Sequence, residues 1–374
     1  MSATSTVHWT EETTSLSARW HSESALPAPR RVVVADDRTS AVTAHRLACE
    51  GTGLLWRGDF HGARQLLRAL ERRIDRKAPG PGPTPAETFR LQRRFRAHRA
   101  RVLGRLLLLL EQNHTLTLRR APDVRTACTD AYGPPAGPTV VPLRELLGVL
   151  GARQWRERGV EVPALGGARI HPHYGVFAPV RGEYVDLVAQ ASLPAGATAF
   201  DLGTGTGVLA AVLARRGIER LTATDLSARA RACARDNLHR LGLADRITVT
   251  GPDLFPPGRA HLVVCNPPWL PARPTSTLEQ GVYDPGGTML HAFLSGLTDH
   301  LEPVGEAWLV LSDLAEHLGL RTRTELLTAI DTAGLRVLSR TGTRPRHPRA
   351  ADSADPLHAA RAAEVTSLWR LAPR

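Results

Sequence analysis

Lysine is almost missing from this chain: of its 48 basic residues, only Lys77 is not arginine. A basic balance carried by one residue type reads first as overall composition, so the net charge of +12 does not by itself indicate nucleic-acid binding. Cysteine is scarce too. Cys49, Cys128, Cys233 and Cys265 share no Cys-x-x-Cys spacing. This argues against a zinc site or a disulfide framework and fits a reduced, cytoplasmic setting. No apolar run is long enough to cross a bilayer. The most apolar tract, Leu106 to Leu110, lies between Arg105 and Glu111. It is far shorter than a membrane span and is expected on the buried face of a helix. Residues 1–30 contain no apolar core of a secretory signal and are expected to form a flexible tail.

A length of 374 residues predicts two domains. The charge is divided unevenly between them. Residues 1–165 carry 26 Arg+Lys against 16 Asp+Glu, a net of +10, whereas residues 166–374 carry 22 against 20, a net of +2. A basic module beside a near-neutral one is suited to steering an acidic partner such as RNA, a ribosome or an acidic protein. Residues 31–165 read as mostly helical. Asp59 is placed to cap a helix running to about Lys77, with Phe60, Ala63, Leu66, Leu67, Leu70 and Ile74 at near-helical spacing. Four prolines between Ala78 and Pro85 stop it. A second long helix is expected from Thr84 or Pro85 through Phe95 and Leu103 to Leu110, and a short one from Pro142 to Leu150.

From about residue 195 the pattern changes to short apolar runs alternating with helices. Strands are expected at 198–202, 221–224, 246–250, 261–265, 306–311, 335–340 and 365–371, with helices at 208–216 and 227–241. The alternation predicts a doubly wound α/β domain with a mainly parallel sheet, whose ligands lie beyond the carboxyl ends of the strands. The first of these strands runs into Asp201-Leu202-Gly203-Thr204-Gly205-Thr206-Gly207. Alternate glycines let a ligand touch the main chain and let the backbone adopt dihedrals closed to other residues. The spacing is Gly-x-Gly-x-Gly rather than Gly-x-Gly-x-x-Gly. The opening acid suits a cofactor with a cationic amino-acid end and no pyrophosphate. Asp225 ends the second strand. Its carboxylate can take both hydroxyls of a ribose, or simply cap the helix that follows. Asp253, after the third strand, can reach an adenine amino group with Leu254 and Phe255 against the ring, or can be an ordinary turn residue.

The fourth strand, Val263-Val264-Cys265, delivers Asn266-Pro267-Pro268-Trp269. Two prolines without N–H groups stiffen the loop. The Asn266 amide oxygen and the Pro267 carbonyl can accept the two hydrogens of an –NH2 group, and Trp269 offers a plane for it to lie on. Positioning and electrostatics would then carry transfer to an otherwise poor nucleophile. Cys265 reads as core. His171-Pro172-His173-Tyr174 reads as a structured linker or as lining for the acceptor entrance; a metal site would need a third ligand at a readable spacing. Arg344, Arg346, His347 and Arg349 form a basic loop suited to phosphates or to solvent.

At these residues the chain resembles the class I S-adenosylmethionine-dependent methyltransferases, and within them the HemK-like branch that methylates glutamine side-chain amides, with its nucleobase-amine relatives. Asp201, Gly203, Gly205 and Gly207 match the family's cofactor loop, Asp225 its ribose acid, and Asn266, Pro267 and Pro268 its Asn-Pro-Pro-aromatic signature. Pro179-Val180-Arg181-Gly182-Glu183-Tyr184 is similar to the family's Pro-Arg-x-x-Glu segment, and Tyr283-Asp284-Pro285 to its aromatic-Glu-Pro stretch. Trp269 stands where the glutamine methyltransferases have Tyr, Arg181 is displaced, and Asp284 replaces Glu. The resemblance covers roughly residues 170–340 and implies a Rossmann-like seven-stranded methyltransferase fold; the methyltransferase domain is expected over residues 166–374, with the mostly helical amino-terminal domain ahead of it. It implies S-adenosylmethionine as cofactor, Asn266, Pro267 and Trp269 as catalytic, and Pro268 and Tyr283 toward the substrate. The acceptor is expected to be a glutamine amide of a protein. The alternatives are an exocyclic nucleobase amine in RNA or DNA, a small-molecule amine, or a non-catalytic cofactor-binding role. A protein or RNA substrate, ribosome-associated in some cases, and no membrane follow as the expected partners.

Overall fold

A computed structural model describes residues 5–346 and 352–374. His347 and Arg349 of the expected basic loop lie outside the described residues. The chain divides into two compact units. One comprises Met1–Gly80, Arg90–Gln154 and Thr275–Thr277; the other comprises Pro81–Phe89, Trp155–Pro274 and Leu278–Arg374.

The elements of the amino-terminal part are β1 (Thr6–Glu11), β2 (Thr14–Trp20), β3 (Val32–Ala35), α1 (Ala41–Cys49), β4 (Gly53–Trp56), α2 (Phe60–Asp75), α3 (Pro85–Leu103), β5 (Leu106–Leu110), α4 (Arg125–Tyr132), β6 (Thr139–Pro142) and α5 (Leu143–Arg158). Two expectations are corrected here. Residues 6–20 form an antiparallel hairpin rather than a tail. The region expected to be mostly helical is α/β, with a six-stranded sheet in the order β1-β2-β6-β5-β4-β3. The reason is visible in the five leucines. Leu106, Leu108 and Leu110 enter one core cluster with α2, while Leu107 enters another with Val7, Trp9 and Trp20. Alternate residues facing two cores are the mark of a strand buried on both sides, which a continuous apolar run shares with a buried helix. The helix from Asp59 forms as expected: the Asp59 side chain accepts from His61 N at 2.8 Å, and the helix ends at Asp75.

The second part runs β7 (Val160–Glu161), β8 (Arg169–Ile170), α6 (Glu183–Gln190), β9 (Thr198–Leu202), α7 (Val208–Arg215), β10 (Arg220–Thr224), α8 (Ala228–Arg240), β11 (Ile247–Thr250), β12 (Ala260–Cys265), α9 (Thr288–His300), β13 (Leu301–Ser312), α10 (Leu314–His317), α11 (Arg323–Thr332), β14 (Leu335–Thr343), α12 (His358–Ala363) and β15 (Thr366–Pro373). The sheet order is β11-β10-β9-β12-β13-β15-β14. Strands β11 to β13 pair in parallel, and β15 pairs antiparallel with both β13 and β14. Buried residues alternate between the two faces of β12: Leu262 and Val264 pack against α7 residues, Val263 and Cys265 against α9 residues. The order reverses between β9, which leads to β10, and β12 on its other side. The crevice at their carboxyl ends is therefore where such a sheet binds ligands.

Candidate active site

The turn after β9 is built by glycines with no substitute. Gly203, Gly205 and Gly207 have φ of 71°, 55° and 82°, in the left-handed region that side chains disfavour. At Gly207 a Cβ would also press on Ala234 of α8 at 3.3 Å, whereas at Gly205 it would meet nothing within 4 Å. The turn is thus open main chain at Gly205, whereas at Gly203 a Cβ would meet Met289 Cε at 2.5 Å.

The two acids of this end play different parts. Asp201, 1% exposed, accepts from Thr204 Oγ1 at 2.6 Å and from Ala210 N at 3.0 Å through the same oxygen, pinning the glycine turn to α7. Burial pushes its carboxyl up to about 6. Asp225 sits at the end of β10. One oxygen accepts from Gly205 N at 3.0 Å and the other from Ser227 N at 2.8 Å. Burial raises its carboxyl as well, against the pull of those two N–H groups. Each oxygen keeps a further lone pair, and the residue links the glycine turn to the start of α8, which Ser227 caps. Asp253 is exposed in the turn after β11, with Leu254 and Phe255 partly buried beside it. Phe255 stacks on His300 at 4.4 Å.

The loop after β12 holds a contact that no spacing rule suggests. Trp269 Nε1 donates to Asn266 Oδ1 at 2.8 Å. This fixes the amide plane of Asn266 and uses one of the oxygen's two lone pairs. Pro267 is buried, and its carbonyl accepts no hydrogen bond among the described residues. Pro268 is partly buried. The Arg181 guanidinium lies 5.1 Å from the Trp269 ring centroid, so one face of the indole is covered. Tyr283 is 8% exposed and packs in a cluster with Leu270, Phe89 and Leu314; Asp284 accepts from Met289 N at 2.6 Å at the start of α9. Cys265 is fully buried, and burial drives its thiol well above the usual range.

The His171–Tyr174 segment fastens to α8. His171 N donates to Asn237 Oδ1 at 2.7 Å, His173 N to Cys233 Sγ at 3.3 Å, and His173 Nε2 lies 2.8 Å from Asp236. Sequence reasoning missed two residues near the loop, Ser312 and Glu364. Glu364 Oε1 accepts from Arg181 Nη2 at 3.0 Å and from Ser312 Oγ at 2.7 Å. A partner 183 positions from Arg181 leaves no trace in local pattern.

The glycine turn after β9 and the acid after β10 lie in a part of the chain whose similarities support a class I methyltransferase, an enzyme whose methyl donor is S-adenosylmethionine. Residues 168–330 match the family model of the methyltransferase small domain. The release factor glutamine methyltransferase of Cereibacter sphaeroides is 34% identical over 173 residues, covering 40% of this chain and 62% of that protein. The ribosomal protein L11 methyltransferase of Vibrio vulnificus is 33% identical over 105 residues, 28% of this chain and 35% of that one. The tRNA1(Val) (adenine(37)-N6)-methyltransferase of Vibrio parahaemolyticus is 37% identical over 95 residues, 24% and 40%. The chain thus spans less than two thirds of the length of each of these relatives. No described helix is long and apolar enough to cross a membrane.

Proposed function

We propose that the protein transfers a methyl group from S-adenosylmethionine to a planar amide nitrogen, that of a glutamine side chain in a protein. The observation that carries this reading is the Asn266–Trp269 hydrogen bond next to a Pro267 carbonyl that accepts no hydrogen bond among the described residues. With one lone pair of Asn266 Oδ1 taken by the indole, the loop offers two acceptors, the number of hydrogens on an –NH2 group. A delocalised amide nitrogen attacks poorly, and held at both hydrogens it needs no strong base before transfer. The same acceptors favour the positive charge that grows on it as the new N–C bond forms; the proton leaves afterwards. The partly buried Trp269 ring would give the amide a plane to lie against.

Gly203, Gly205, Gly207, Asp225, Asp253 and Leu254 would hold the donor, whose contribution is an electrophilic methyl group. Asp225 would bind the ribose while its N–H contacts keep it oriented, and Asp201 would act through the shape of the turn. The similarity to a release factor glutamine methyltransferase supports an amide over a nucleobase amine. The basic amino-terminal part, net +10 over residues 1–165, would recognise the target.

The test is to incubate the protein with labelled S-adenosylmethionine and cell extract, then digest with protease or ribonuclease. Label released by protease and found on glutamine supports the reading. Label that survives protease and is released by ribonuclease removes it. Asn266→Ala is expected to cut transfer at least 100-fold with donor affinity nearly unchanged, since lost positioning at a transfer site costs several kcal/mol; an undiminished rate excludes this loop as the acceptor site.

A further inference from the structure

We propose that Arg181, braced by Glu183 and Glu364, is a positioning residue for the acceptor loop, setting the plane of Trp269 and through it the amide of Asn266. This rests on the reading of that loop as the acceptor site. The brace is continuous. Arg181 Nε donates to Glu183 Oε1 at 2.9 Å at the start of α6, and its Nη2 to Glu364 Oε1 at 3.0 Å ahead of β15. Ser312, the last residue of β13, donates its hydroxyl to the same Glu364 oxygen at 2.7 Å and accepts from Leu314 N at 3.0 Å. The guanidinium plane so held lies over the Trp269 ring, and the indole N–H ends the chain on Asn266 Oδ1.

Stability alone does not account for this arrangement. The side chains of Glu183 and Glu364 are 3% and 0% exposed, and that of Arg181 is 19% exposed. Dry ion pairs of this kind roughly break even against apolar packing. Here two carboxyl groups share one guanidinium, and Glu364 Oε2 is buried without a hydrogen-bond partner among the described residues. What such a cluster supplies is direction. A planar fork held at two edges is fixed in orientation, and the Trp269 ring lies against it.

Arg181→Lys keeps the charge and removes the planar fork. With the tryptophan indoles labelled with nitrogen-15, and the Trp269 resonance assigned through Trp269→Phe, Arg181→Lys is expected to shift or broaden that resonance. Initial methyl incorporation into cell extract at saturating S-adenosylmethionine is expected to fall at least tenfold, while affinity for the demethylated donor stays within about twofold, since no brace contact is made to a residue of the glycine turn. An unmoved resonance or a wild-type rate overturns the proposal. Should Arg181→Lys fail to fold, Glu364→Gln, of the same shape, is read the same way: a shifted resonance and a roughly threefold slower rate support the brace, and unchanged values overturn it. If the wild type labels no protein, the acceptor reading of the loop falls, while a Trp269 resonance that moves with Arg181 still establishes the brace.

Discussion

Asp201 lies beneath the glycine turn with one oxygen shared between a threonine hydroxyl and an α7 amide. Its neighbour across the turn, Asp225, divides its two oxygens between the turn and the next helix. The difference makes separable predictions. On the proposed reading, removing Asp225 takes away a charge-assisted contact to the donor's ribose. Asp225→Ala is expected to weaken donor binding by about 2 kcal/mol, roughly 30-fold in Kd by calorimetry. For Asp201 the pH dependence has a definite sign. Its folded carboxyl titrates at about 6, above its ordinary 3.8. The protonated form is therefore favoured by folding, and this contribution is fully present below about pH 4 and is lost as pH rises to 6. About two pH units correspond to about 3 kcal/mol. The stability of the wild type relative to Asp201→Asn is expected to fall by up to that amount between pH 4 and 6 and to level off above, measured by urea unfolding. A flat difference would show that the carboxyl is not shifted.

At the scale of elements, the seven strands and two helices expected from residue 198 onward lie close to where the sequence places them, because each short apolar run is bounded by a glycine, a cap or a charged turn, whereas the helices α9 to α12 go unanticipated. The strand 198–202 is reproduced residue for residue, and Ser227 caps α8 as expected. The amino-terminal part misleads for a physical reason. The five leucines of β5 carry no period, and the preceding helical pattern runs straight into them, so only their burial on two faces separates strand from helix. Leu108 is fully buried in the cluster shared with α2. Leu108→Ala is expected to cost about 3 kcal/mol, from lost transfer energy and the cavity left behind, read as a lower urea midpoint. A loss below about 1 kcal/mol would indicate that β5 is not at the centre of that core. The run β3-β4-β5-β6 pairs parallel, parallel, antiparallel, the same succession as β9-β12-β13-β15 in the other unit.

For the molecule as a whole, the telling quantity is where charge accumulates. Residues 1–165 hold ten of the twelve excess positive charges. If that part captures an acidic target, the attraction is screened over about 10 Å at 0.1 M salt and over less at higher salt. Raising salt from about 50 to about 200 mM is then expected to slow methyl incorporation into extract several-fold while donor affinity, set at the glycine turn, barely changes. Equal sensitivity of both measurements, or of neither, would remove the charge of the amino-terminal part from target capture.

Composition and spacing alone gave the α/β class of the second half and picked out, as candidates, the turn at Gly203, Gly205 and Gly207, the acid at Asp225 and the Asn266–Trp269 loop. Each is a local pattern, a strand followed by the residues its carboxyl end must carry. Only the tertiary structure decided that the first half is a sheet, that Asp201 serves the turn, and that Trp269 is hydrogen-bonded to Asn266 and stacked under an arginine whose second carboxylate comes from ahead of the last strand. Those outcomes depend on which buried faces meet. That is settled by apolar area and by the pairing of buried charge across long stretches of chain, quantities that no window of neighbouring residues contains.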